Sequence, residues 1–329
     1  MSNLVQQIQD YTVIGSVGDA LQQFAGRNYT NAELVARFGT GIAGTGAGVN
    51  GYWNFTDTNI VNDASANAID LTGVNVADAD NTTGIMGTNF GVDLDGATEY
   101  MTHTTFWSTP PTAMAVNCWI KMTDGQTGAT SSIFIKAGDA TGGTVDYASF
   151  YVNTTGQIIF AGQQNSIGTD LISSTILPNG VTDWYMATIN WDTVNGTRLW
   201  VNSILEAQDP TATTLWTGDI QDFIIGADNY PAGAISGWFG GGATAKMANF
   251  IAMDYTLTQA DVDWLYATPY TTPAVFGNTE FNIRAFEKLA VAASPRQTTF
   301  SEVERDTSTI YRAGGVLRTT DYLRLEGGR

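Results

Sequence analysis

Between residues 51 and 267, apolar and polar positions alternate in short runs separated by Gly, Asn, Asp and Thr. A period of two predicts strands, each with one buried face. Gly91-Val92-Asp93-Leu94-Asp95-Gly96 alternates between two turn glycines. Ala113 to Met122 is longer and almost free of polar residues, as a strand near a sheet centre should be. Ile133 to Lys136 follows. Ser149 to Val152 and Gln157 to Phe160 flank Asn153-Thr154-Thr155-Gly156 and predict a hairpin. Trp184 to Trp191 and Thr197 to Asn202, joined by Asp192-Thr193-Val194-Asn195-Gly196, predict a second. Asp222 to Gly226 and Ala245 to Asp254 complete the set. Strands joined by turns, with no helices between them, exclude a βαβ fold and indicate an all-β antiparallel sandwich.

Helical spacing occurs at the margins. Leu4, Val5, Ile8 and Tyr11 share one helical face, and Thr30-Asn31-Ala32-Glu33 is a capping-box sequence leading into Leu34, Val35 and Phe38. The glycine-rich run from Gly39 to Gly48 predicts a flexible linker. Thr258-Gln259-Ala260-Asp261 starts a short helix through Val262, Trp264, Leu265 and Tyr266 that Pro269 ends. Beyond it, Arg284 to Ala293 predicts a helix, residues 309–318 a hairpin and Tyr322 to Leu325 a strand. The expected division is a helical N-terminal anchor segment with its linker at 1–49, a sandwich at 50–268 and a mixed C-terminal extension at 269–329.

Charge changes the functional picture. Only 14% of residues are charged and the net charge is −18, so the surface is built from Thr, Asn, Gln and Ser. Residues 281–329 hold eight Lys/Arg against six Asp/Glu, leaving six against twenty-six in 1–280. A body this acidic repels phosphate backbones and argues against nucleic acid as a partner. No run of eighteen apolar residues is present, so membrane insertion is not expected. The first residues lack a basic segment followed by an apolar stretch, so no signal peptide is expected and synthesis is placed in the cytoplasm. Cys118 and His103 are single examples of their kinds. Cys118 lies in an apolar run and reads as a small buried hydrophobe, and no nucleophile-elbow sequence accompanies His103.

Residues 51–267 resemble the laminin-G-like/concanavalin-A-like jelly-roll superfamily. The matching stretches, in order, are Tyr52-Trp53-Asn54-Phe55, Leu94-Asp95-Gly96 with Tyr100, Cys118-Trp119-Ile120-Lys121, the hairpin with Trp184, Asp192, Gly196, Val201 and Asn202, then Ile225-Gly226, and finally Leu257-Thr258 with Leu265-Tyr266. The resemblance implies a jelly-roll sandwich. It also implies calcium as the ion such a domain would hold, for which Asp93, Asp95, Asp192 and Asp228 are the candidate ligands. A jelly roll with a helical head, a basic tail and no export signal is similar to structural proteins of tailed bacteriophages. That resemblance implies a fibre-type adhesin or a capsid or tail decoration on the virion surface. It would be a homo-oligomer anchored to other virion proteins through 1–38 and 269–329.

Glycan binding needs an exposed ring beside polar donors, and Trp238-Phe239 and Asn229-Tyr230 lie in loop-like sequence that offers both. Trp119, Trp184, Trp191, Trp200 and Trp264 are expected in the core. A retaining glycosidase needs two carboxylates about 5–5.5 Å apart, typically from a Glu-x-Asp-x-x-Glu run, and the nearest sequence, Glu302-Val303-Glu304-Arg305-Asp306, has the wrong spacing. The expectation is therefore a non-enzymatic protein whose ligand is a host surface glycan. A carbohydrate-active enzyme and a bacterial surface lectin are the alternatives.

Overall fold

Strand β6 (Ala113–Met122) lies at the middle of the larger of two antiparallel sheets. The order across that sheet is β13 (Ile204–Asp209), β12 (Gly196–Val201), β11 (Tyr185–Asp192), β6, β15 (Ala245–Asp254), β4 (Gly87–Leu94) and β3 (Asn81–Gly84). β1 (Gly48–Trp53) also pairs with β15. The second sheet runs β10 (Ile167–Ile176), β9 (Gln157–Gln164), β8 (Tyr147–Val152), β7 (Ser131–Ala137), β14 (Asp222–Ile225), β5 (Tyr100–Thr104) and β2 (Thr72–Val74). This computed structural model describes residues 29–41, 47–56, 59–85, 87–104, 106–107, 111–137, 147–164, 167–213, 222–228 and 235–266. The expected helices and strands at 1–28 and 267–329 lie outside the described residues.

The sandwich core forms because alternate residues of each strand are apolar. From β6, Met114, Val116, Cys118, Ile120 and Met122 all face the second sheet. Trp53, Phe106, Trp107, Phe134, Phe223 and Phe250 interlock at the centre, with Phe106 stacked on Phe223 at 4.5 Å between centroids. Cys118 is fully buried there, and burial pushes its thiol pKa far up, so it packs as the small hydrophobe expected.

The opposite face of the larger sheet is buried as well. Helices α1 (Asn31–Phe38) and α2 (Gln259–Tyr266) lie along it. Trp119, on the odd-numbered face of β6, stacks on Tyr266 at 5.5 Å, and Trp200 donates its indole N–H to Gln259. α1 opens with the expected capping box, Glu33 N–H to Thr30 Oγ1 and Thr30 N–H to Glu33 Oε2, and closes on Gly39 at φ 82°. Leu34 and Phe38 are buried, Phe38 packs edge-on against Trp264, and Arg37 pairs with Asp261 at 2.7 Å.

Gly39 and Gly41 exchange backbone hydrogen bonds with Val49, so the described parts of the glycine run are tied to β1 rather than forming a free linker. One compact unit is Asn28–Tyr266, and α1 belongs to it. Of the tryptophans expected in the core, Trp119, Trp191 and Trp200 are buried, whereas Trp184 and Trp264 are half-buried.

Candidate functional site

The chain leaves β14 through Gly226 (φ 90°) and forms a loop that carries Trp238. Asp228 and Ser236 exchange two backbone hydrogen bonds of 2.7 and 2.6 Å, two residues before Trp238. Beyond it, Phe239 donates its N–H to Gly226 O at 2.8 Å and drives its ring into the inter-sheet core, where it is fully buried. Phe239 was expected as a ligand contact. It is instead the anchor of the loop, since its ring has no exposed surface to offer. Gly240, at φ 100°, lies so close to Ala243 that a Cβ would be 1.9 Å from its carbonyl oxygen, a place that only glycine can occupy.

With Phe239 turned inward, Trp238 remains half-buried at the surface against Tyr100, their ring centroids 5.8 Å apart and their planes at 51°. Tyr100 opens β5, whose next residue, Met101, faces the core, so Tyr100 lies on the outer face of the second sheet. Sequence reasoning placed Tyr100 in the framework and missed it as a partner of Trp238. The available signal was its position one residue out of phase with the buried Met101. Asn229 and Tyr230 lie outside the described residues.

The turn from Asp95 to Glu99 borders the same loop, bonded to it through Gly242 N–H to Gly96 O at 2.9 Å. Asp95 Oδ1 accepts from the backbone N–H groups of Ala97, Thr98 and Glu99, and Oδ2 from the Thr98 hydroxyl. Glu99 Oε2 accepts from the Asp95 N–H at 2.7 Å. Burial opposes the Asp95 charge, but the hydrogen bonds from Thr98, Ala97 and Glu99 prevail and lower its pKa to about 2. Glu99 is pushed above its ordinary value by burial, with Asp80, Asp95 and Asp93 adding repulsion. Two carboxylates displaced in opposite directions are one mark of an acid–base pair. Here the lowered member spends its oxygens on its own turn and has little left for a water or a sugar carbon.

The four acids expected to hold calcium do not converge. Asp93 faces Lys246 at 3.5 Å, Asp95 closes its turn, and Asp228 is bridged through its backbone to Ser236. Asp192 is buried and accepts from Val194 N, Asn195 N and Arg198 at 2.8 Å. It flanks Ala113, at the far end of β6 from Met122, and therefore lies about 30 Å from Asp95 by strand rise. Among the described residues no three His, Cys, Asp or Glu side chains form a group fit for a metal. These residues do not offer a calcium shell, because donors already occupy the oxygens of Asp95 and Asp192. His103 packs edge-on against Phe106 with its Nδ1 buried and unpartnered, and burial lowers its pKa. Glu302, Glu304 and Asp306 lie outside the described residues.

Solved structures with a similar fold include the botulinum neurotoxin serotype D ligand binding domain in complex with N-acetylneuraminic acid, at 14% identity and TM-score 0.49, covering 66% of this chain and 50% of that one. The receptor binding domain of the C/D mosaic serotype is similar at 14% identity and TM-score 0.48, with the same coverage. The chain thus spans about half the length of these toxin domains. Domain 4 of AbnA, a GH43 extracellular arabinanase from Geobacillus stearothermophilus, in complex with arabinotriose, is similar at 14% identity and TM-score 0.47, covering 66% of this chain and 98% of that one. No curated protein matches the chain. The model of one protein family matches residues 95–263, just over half of the chain and all of the strands that carry Tyr100 and flank Trp238. On that match, and with two antiparallel sheets packed face to face, the chain belongs to the concanavalin A-like lectin/glucanases superfamily.

Proposed function

We propose that the sandwich is a non-catalytic glycan-binding module displayed on the surface of a tailed-bacteriophage particle, with Trp238 and Tyr100 as the sugar-facing rings. The observation that carries this reading is the half-buried Tyr100–Trp238 pair on the outer face of the second sheet. That face is opposite the one covered by α1 and α2, where the sandwich begins and ends. The apolar CH face of a sugar packs on such rings while loop donors and carboxylates meet its hydroxyls. The absence of catalysis is supported by the saturated Asp95 carboxylate and by His103, which packs on Phe106 without an acid–base partner. The particle setting is supported by the acidic, weakly charged composition, and several copies would turn weak single sites into firm attachment.

Binding of the purified protein to soluble glycans, followed by titration calorimetry, tests the site. Trp238→Ala and Tyr100→Ala should each weaken binding about tenfold or more with the fold retained. Release of reducing sugar from a host polysaccharide would overturn the non-catalytic reading. Mass spectrometry of purified phage particles tests the setting, and absence of the chain from them would remove it.

A further inference from the structure

The shape and charge of the Tyr100–Trp238 site restrict the sugar it can take. Resting on the glycan-binding reading, we infer that this site accepts a single uncharged sugar residue of a soluble glycan and discriminates against sialylated and uronic-acid glycans.

Ring geometry sets the size. At 5.8 Å and 51° the two rings touch each other and form one angled wall, so they cannot act as two coplanar platforms for successive sugars. Phe239 on one side of Trp238 is locked in the core, and the glycine turn beyond it is tied to Gly96, so the backbone that carries the Trp238 ring is anchored on its C-terminal side. A flat polysaccharide surface needs coplanar rings, whereas one sugar residue needs a single wall.

Charge sets the class. The turn bonded to the Trp238 loop carries Asp95 and Glu99, and Asp80 and Asp93 lie close enough to Glu99 to help raise its pKa. Among the described residues, Lys246 faces this group, and it already pairs with Asp93 and donates to Thr82 Oγ1. Residues 1–280 as a whole carry twenty-six acids against six Lys/Arg. A carboxylate on the ligand would therefore meet repulsion from the acidic turn beside the rings, screened over about 8 Å at physiological salt. Summed over these carboxylates, the expected penalty is about tenfold in affinity.

The test uses the full chain and matched soluble pairs, each a neutral oligosaccharide and its sialylated or uronic-acid counterpart, with microcrystalline cellulose as the flat surface. The neutral member should bind about tenfold tighter at low salt, and the ratio should shrink as salt is added. Asp93→Asn combined with Glu99→Gln should shrink it too, and cellulose should retain no protein. Trp238-dependent binding of a charged glycan as tight as its neutral partner would overturn this inference and leave the glycan-binding reading intact, as would retention on cellulose. If no member of any pair binds, or if binding ignores Trp238→Ala, the glycan-binding reading falls and this inference with it.

Discussion

Asp95 and Glu99 share one five-residue turn and are driven in opposite directions, which makes the turn a pH-dependent element. The Asp95 pKa is depressed to about 2, so its contribution is complete above the ordinary aspartate value near 4 and is lost as pH falls toward 2. A shift of this size on a largely solvated group corresponds, after discounting for screening, to about 1 kcal/mol. Asp95→Asn should cost about that much near pH 7, and the gap to the parent protein should close between pH 4 and 2 in thermal melts recorded against pH. Glu99 has the reverse sign: its raised pKa means that the ionised form is disfavoured in the fold, and this cost disappears as pH falls through the raised value. Glu99→Gln keeps an acceptor for the Asp95 N–H and should be neutral to slightly stabilising near pH 7, with the difference vanishing below pH 4. At this scale the sequence was half legible. The Trp238-Phe239 pair was correctly located in a loop, but which ring faced out depended on the inward turn of the chain after Gly226, a tertiary contact that leaves no local pattern.

Among the elements, the long apolar strand and both hairpins were legible because each has a strict period or a strong turn. Asn153 Oδ1 gathers the N–H groups of Thr155 and Gln157 in one of these turns, and Asp192 does the same for Val194 and Asn195 in the other. β10 and β13 escaped notice for a physical reason. They are the end strands of the two sheets, and Ile172, Ile176, Ile204 and Leu205 point outward among polar residues, so burial does not impose a clean alternation. β6 was expected near a sheet centre, and it lies there between β11 and β15. Trp119 faces α2 rather than the second sheet, so its loss should loosen that helix as well as leave a cavity. Trp119→Ala should cost about 3–5 kcal/mol, the range for emptying a large aromatic site. Denaturant unfolding checks the magnitude, and early hydrogen exchange in 259–266 checks the location. A cost below about 1 kcal/mol would show that the α2 layer contributes little.

At the scale of the whole molecule, the decisive feature is that the two margins of the sandwich meet. The Tyr29 hydroxyl donates to Leu265 O, its ring stacks on Trp264 at 5.5 Å, and Arg37 bridges to Asp261 and the Ala260 carbonyl. Sequence suggested a boundary at the glycine run, because a capped helix followed by glycines reads locally as a separate head. The apolar face of α1 is too small to bury itself, however, and among the described residues Leu34 and Phe38 find their cover on the sandwich. A fragment spanning 28–266 should therefore fold in one cooperative transition. A fragment spanning 50–268 discards α1 and uncovers Trp264 and Tyr52. Loss of the buried Leu34 and Phe38 alone removes about 3–6 kcal/mol of apolar burial, so its melting temperature should fall by at least about 6 °C. Calorimetric melts of the two fragments decide the matter. Equal stability would return α1 to the status of an appended head and move the boundary of the sandwich back to residue 50.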